Sequence, residues 1–139
     1  MTEEVLLTIS TLQSFEGQKD TVESSSPARY YKKDESHYVF CEETNEEQCG
    51  TVKTRIKLSG GSIELKRSGA VSTSMIFEKN KKYPVMYRTP YGSLELTVET
   101  ESMEMTETEE EIRACIVYTL QAEGTHMADC HLSLSITQK

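Results

Sequence analysis

The sequence predicts an all-β fold, an antiparallel up-and-down closed β-barrel, on three observations. Residues Val52 to Leu58 alternate without a fault, Val-Lys-Thr-Arg-Ile-Lys-Leu, the period-two signature of a strand with one wet face. Three separate segments fold back as hairpins in which apolar residues face apolar residues. Helical periodicity is absent from any window of comparable length.

In chain order, strands are expected at Val5 to Leu12, Thr21 to Ser24, Tyr30 to Lys33 and Tyr38 to Glu42, with the stretch Ser24-Ser25-Ser26-Pro27 reading as a break. Gly60-Gly61 supplies two residues suited to positive φ, as a type I′ turn requires. That turn places Leu58 opposite Ile63, Ile56 opposite Leu65 and Thr54 opposite Arg67 on one face, with Lys57 opposite Glu64 on the other. A further strand is expected at Val71 to Phe77. Thr89-Pro90-Tyr91-Gly92 has Pro and Gly where a type I turn favours them, setting Tyr87 against Leu94, Val85 against Leu96 and Tyr83 against Val98. The last hairpin turns about Gly124 and pairs Tyr118 with Cys130, Ile116 with Leu132, Ala114 with Leu134 and Ile112 with Ile136. The total is about eight to ten strands joined by short turns, which a barrel satisfies by removing the sheet edges.

The 139 residues are 36% hydrophobic and lack Trp, enough for one core, so residues 1–139 read as a single domain. No apolar run is long enough to cross a bilayer, and the start Met1-Thr2-Glu3-Glu4 is acidic where a signal peptide is basic, so the expectation is a soluble cytoplasmic protein without a membrane partner. Four cysteines without a CxxC pair are expected to be reduced. A net charge of -8 argues against a nucleic-acid partner. The charge is uneven: between Lys53 and Arg88 nine basic residues stand against two acidic ones, while acid concentrates in Glu42 to Glu47 and Glu99 to Glu111.

Val52-Lys53-Thr54, Arg67-Ser68-Gly69-Ala70-Val71, Thr89-Pro90-Tyr91-Gly92-Ser93-Leu94-Glu95-Leu96 and Thr100, in this order and spacing, resemble the YwiB-like family. These are small proteins of unknown function, mostly from low-GC Gram-positive bacteria, with a calycin-type (lipocalin-like) barrel. The match is firmest from Val52 to Thr100 and weaker from Tyr118 to Ile136. The resemblance implies the barrel and a cytoplasmic location, and it brings no catalytic residue. The cysteines are not part of the pattern.

The inward set given by these registers is apolar except for Thr54, Arg67, Tyr87, Thr100 and Tyr118. One reading makes them the polar contacts of an interior site for a small amphipathic ligand, with Arg67 on its carboxylate or phosphate. The other places Arg67 at the barrel mouth, its methylenes on the core and its charge in water, around an interior filled by side chains. On the outer face Arg55 falls opposite Lys66, a like-charge pair that costs stability unless an anion is shared. With Lys53 and Lys57 they form a basic face, either for an anionic partner or as a solvated surface protected from edge pairing.

His126, Asp129, Cys130 and His131 are close in sequence, but on a strand His126 and His131 point to opposite faces, and His126 and Cys130 lie roughly 13 Å apart. No metal site is assigned. Cys41 and Cys49 flank the acidic loop and are placed as cross-strand neighbours could be, so a bridge is sterically open to them in an oxidising compartment, and in the cytoplasm they are expected to be free. No Ser, His and acid come together on the derived faces, and no glycine-rich loop joins a strand to a helix. The expectation is therefore a non-enzymatic barrel without cofactor, binding a small ligand inside or a partner through its basic face.

Overall fold

The computed structural model describes residues 3–45, 50–69, 72–89 and 92–138. They form ten antiparallel strands: β1 Glu4–Phe15, β2 Gln18–Lys33, β3 Ser36–Asn45, β4 Gly50–Ser59, β5 Ser62–Ser68, β6 Thr73–Phe77, β7 Lys82–Thr89, β8 Gly92–Glu107, β9 Glu111–Ala122 and β10 Thr125–Gln138. The sheet runs β6-β5-β4-β3-β2-β1-β10-β9-β8-β7. Every neighbour in space is therefore a neighbour in sequence, apart from the pairing of the first strand with the last. The ring is nearly closed: Ser72 and Arg88 exchange two backbone hydrogen bonds of 2.9 Å across the β6/β7 seam.

All three expected registers are present. Leu58 pairs with Ile63 and Thr54 with Arg67, Val85 with Leu96 and Tyr87 with Leu94, and Tyr118 with Cys130 and Ile112 with Ile136. The turn at Gly60-Gly61 differs in kind, because neither glycine has positive φ. The matched strand faces hold that register without the expected left-handed turn. Two consecutive left-handed residues occur instead at Glu16-Gly17, Asp34-Glu35 and Glu123-Gly124. Pro90-Tyr91, Val71 and Cys49 lie outside the described residues.

The expected break at Ser24 to Pro27 is absent, and β2 runs through it. Tyr30 donates to the Glu3 carbonyl at 2.8 Å, which phases the β1–β2 ladder so that the Pro27 nitrogen points away from β1. There the missing N–H costs no ladder bond on the paired side.

Alternate residues of each strand fill the interior. Val5, Leu7 and Ile9 of β1 meet Ile56 and Leu58 of β4, Ile63 of β5, Phe77 of β6, Val85 of β7, Ile112 and Ile116 of β9, and Leu134 and Ile136 of β10, all buried. A bulge at Glu101 shifts the phase of β8 after Thr100. Met103 and Met105 then turn to the core in place of Ser102 and Glu104. The ring of Phe77 packs on Tyr118 with centroids 4.8 Å apart.

Candidate functional site

Among the described residues the middle of the barrel is packed. The void between Ile9, Ile56, Ile63, Leu65, Phe77, Ile116, Leu132 and Leu134 holds about 10 Å³, at the limit of one water molecule. There the branched side chains and Phe77 occupy the space. Of the five residues of the expected interior site, Thr54, Thr100 and Tyr118 are buried. Arg67 and Tyr87 are exposed, Tyr87 opposite an exposed Leu94. Arg67 keeps the inward phase but lies at the barrel mouth beyond Leu65. Burial raises the Tyr118 hydroxyl far above the ordinary tyrosine range, and Arg67 opposes that shift only weakly.

The open space is instead in the barrel wall. β1 and β2 pair over their whole facing lengths, from Glu4↔Arg29 to Phe15↔Gln18, and β3 and β4 pair from His37↔Leu58 to Asn45↔Gly50. Between β2 and β3 the ladder covers only Arg29↔Phe40 to Lys33↔Ser36. It stops beside Pro27, which has no N–H to offer β3. The two strands diverge from there and leave a depression of about 650 Å³, lined by Glu4, Pro27, Ala28, Arg29, Phe40, Cys41, Glu42, Lys53, Thr54, Arg55, Lys66 and Ser68. Ala28, Cys41 and Thr54 are inward-facing and form its floor. Four cations and two carboxylates surround it. Thr54 from the expected ligand set and Lys53, Arg55 and Lys66 from the expected basic face thereby meet at one place.

The outer face beside this fork carries a row of rings. Cross-strand pairs set Tyr31 opposite Tyr38 and Phe40 opposite both Arg29 and Arg55, while Tyr38 also faces Lys57. Tyr31 stacks on Tyr38 at 4.9 Å and on Phe40 at 5.6 Å, with planes 8° and 16° apart. Arg55 lies 5.7 Å over the Phe40 ring and Lys57 5.7 Å over Tyr38. The result is one ladder, Lys57–Tyr38–Tyr31–Phe40–Arg55, capped at each end by a cation. Arg55 faces Lys66 across the β4–β5 ladder as expected, and neither forms an ion pair among the described residues. Lys53 faces Glu42 and Lys57 faces Glu64.

A second polar cluster lies inside one end of the barrel. The Tyr30 hydroxyl and His37 Nδ1 are 2.6 Å apart, and His37 Nε2 is 3.4 Å from Glu107 Oε1. His37 and Tyr30 are buried, and burial followed by the Glu107 charge raises the Tyr30 hydroxyl. The cluster is internally satisfied. His126 bonds Asp129 at 3.0 Å, while His131 stands exposed with Cys130 buried next to it. Among the described residues no three potential ligands gather around a metal position. Cys115 and Cys130 are free thiols.

Sequence reasoning found the cations but missed the rings. The β2–β3 hairpin turns at Asp34-Glu35, without glycine or asparagine, so no turn signal fixed its register. Pairing Tyr31 with Tyr38 across that two-residue turn would have revealed it.

Comparison with known proteins gives one family. The model described as "Domain of unknown function (DUF1934)" matches residues 7–134. The "Uncharacterized beta-barrel protein YwiB" of Bacillus subtilis (strain 168) is 29% identical over 116 residues, spanning 84% of this chain and 80% of that protein. The crystal structure of the ywiB protein from Bacillus subtilis superposes with a TM-score of 0.85 over 99% of this chain and 92% of that chain, at 24% identity. This last likeness is one of fold, and with the family match it bears out the resemblance read from the sequence.

Proposed function

The chain belongs to the DUF1934 family, and for it we propose a binding role: a non-catalytic barrel that takes an anionic, amphipathic ligand or partner group at the β2–β3 fork. One observation carries this reading. Arg55 and Lys66 face each other beside an open depression with no carboxylate partner among the described residues. Two like charges so placed repel, and an anion between them removes the repulsion while gaining charge-assisted hydrogen bonds. Arg29 and Lys53 add to the local field, and Phe40 with Ala28 and Pro27 offers apolar surface to the remainder of the ligand. The volume lies within the range of small-molecule sites, about 300–1,000 Å³. The filled core favours this wall site over any internal one.

Titration of the 15N-labelled protein with phenyl phosphate tests the reading. Amide shifts are expected at Arg29, Phe40, Lys53, Arg55 and Lys66, and Arg55→Glu with Lys66→Glu should abolish them. Shifts scattered over the surface, or unchanged in the double variant, would rule the site out.

A further inference from the structure

The face around the fork has the form of a track rather than a single cup. The depression at the fork continues on one side into a second, of about 540 Å³, that shares Arg29 and Phe40 and adds Tyr31 and Lys32. On the other side it continues into a third, of about 230 Å³, that shares Arg55 and Lys66 and adds Tyr38 and Lys57. Each of the three contains at least two cations and one or more rings. A compact ligand would fill one of them. A chain whose units each carry a negative charge and a flat apolar group would fill all three.

From this we infer that the outer face of β2–β5 binds single-stranded nucleic acid, with phosphates on Arg29, Arg55, Lys57 and Lys66 and bases on the ladder of Tyr31, Tyr38 and Phe40. The inference rests on the anion-binding reading above and names the class of its ligand. Flat rings beside cations are the combination that holds a single strand without reading its sequence, because every base has a π-face. Phe40 and Arg55 form the open step of the ladder. The guanidinium carbon lies 5.7 Å from the ring centroid, within cation–π range, and no acidic side chain among the described residues ties it down. A base that displaces this guanidinium takes its place on the Phe40 ring. A duplex, with its bases turned inward, has only phosphates to offer this face.

Much of the acidic charge is carried away from this face, while Glu42 and Glu43 stand on β3 itself. In the ten-strand ring β8 lies five places from β3, and it bears Glu95, Glu99, Glu101 and Glu104, while its Glu107 reaches His37 of β3. A polyanion therefore meets a cationic wall with the acidic wall behind it. Of the carboxylates lining the three depressions, Glu4, Glu42 and Glu64 each face a cation, Arg29, Lys53 and Lys57 respectively, and Glu3 stands in the second beside Arg29 and Lys32.

Fluorescence anisotropy with labelled U12 RNA and dT12 DNA, each also presented as a duplex, tests the inference. The single strands are expected to bind, the duplexes at least about tenfold more weakly. Tyr31→Leu with Phe40→Leu, which keeps every charge, should weaken single-strand binding by about tenfold or more. Arg55→Glu with Lys66→Glu should abolish it and flatten the salt dependence. A preference between RNA and DNA would identify the sugar and support the inference. Equal binding of single strands and duplexes, or no effect of losing the rings, would overturn it and leave the phenyl phosphate site standing. Absence of binding to any strand would also overturn it, as would self-association through the acidic β8 wall that nucleic acid fails to displace.

Discussion

Lys66→Glu should make the free protein more stable while destroying its anion site. Arg55 and Lys66 are direct cross-strand partners on the wet face. Two unit charges about 6 Å apart in water repel by about 0.7 kcal/mol, and reversing one sign turns this into an attraction of similar size. The full swing of about 1.4 kcal/mol is cut by side-chain entropy and ionic screening to about 0.5–1 kcal/mol, in line with cross-strand charge pairs. Along β5 the new carboxylate would stand two residues from Glu64, but Lys53 and Lys57 lie diagonally across from it, so the sign survives its neighbours. With a urea slope of about 2 kcal/mol per molar, the midpoint should rise by about 0.3–0.5 M at low salt. Most of that gain should vanish near 1 M salt, where the Debye length is about 3 Å. A fall in the low-salt midpoint, or a gain that persists in high salt, would refute the claim that this pair is electrostatically strained in the free state.

Thr100 is 1% exposed and its Oγ1 has no hydrogen-bond partner among the described residues. Thr100→Val should therefore stabilise by about 1 kcal/mol in urea denaturation, by replacing a stranded hydroxyl with a methyl; a loss would reveal a hidden partner. Hydrogen bonds from Tyr83 and Lys81 hold the Glu78 carboxylate below its ordinary range. A depressed carboxylate stabilises the fold above its unfolded pKa, about 4.3, and that contribution fades as pH falls through the folded value. Tyr83→Phe should move the Glu78 titration, followed by carboxyl carbon NMR, upward toward the ordinary range. No movement would show that Tyr83 does not donate to it.

The barrel was legible because each of its hairpins with a turn signal also had matched faces, and a register error of one residue would have inverted every side chain. Bulges were not legible. Nothing in the residues around Glu101 or Met127 marks an extra position, yet the first decides that Met103 and Met105 face inward. Pro27 was read as the end of a strand when it is the end of a pairing: the chain continues, and only its bond to β3 is lost. For the site, strand alternation placed Arg55 opposite Lys66 correctly but carried Arg67 and Tyr87 inward past the point where the barrel has an interior. Alternation gives direction, not depth.

The pairing of β1 with β10 also governs how this ring can be assembled. Val5 lies opposite Gln138, so the contact that joins the two ends of the meander spans nearly the whole chain. Hairpins such as β4–β5 can form from neighbouring residues alone, but the inner face of β1 cannot be covered on its β10 side until the last strand has been made. Loop closure itself grows slowly with length, about 0.6 kcal/mol per doubling. The larger burden is kinetic, because topologies rich in distant pairings fold slowly. On a ribosome the first strand must wait with one edge bare for most of synthesis. The outward side of that waiting strand, Glu4, Leu6, Thr8, Ser10 and Leu12, is mixed in character and headed by a charge, which tempers its attraction for other exposed strands.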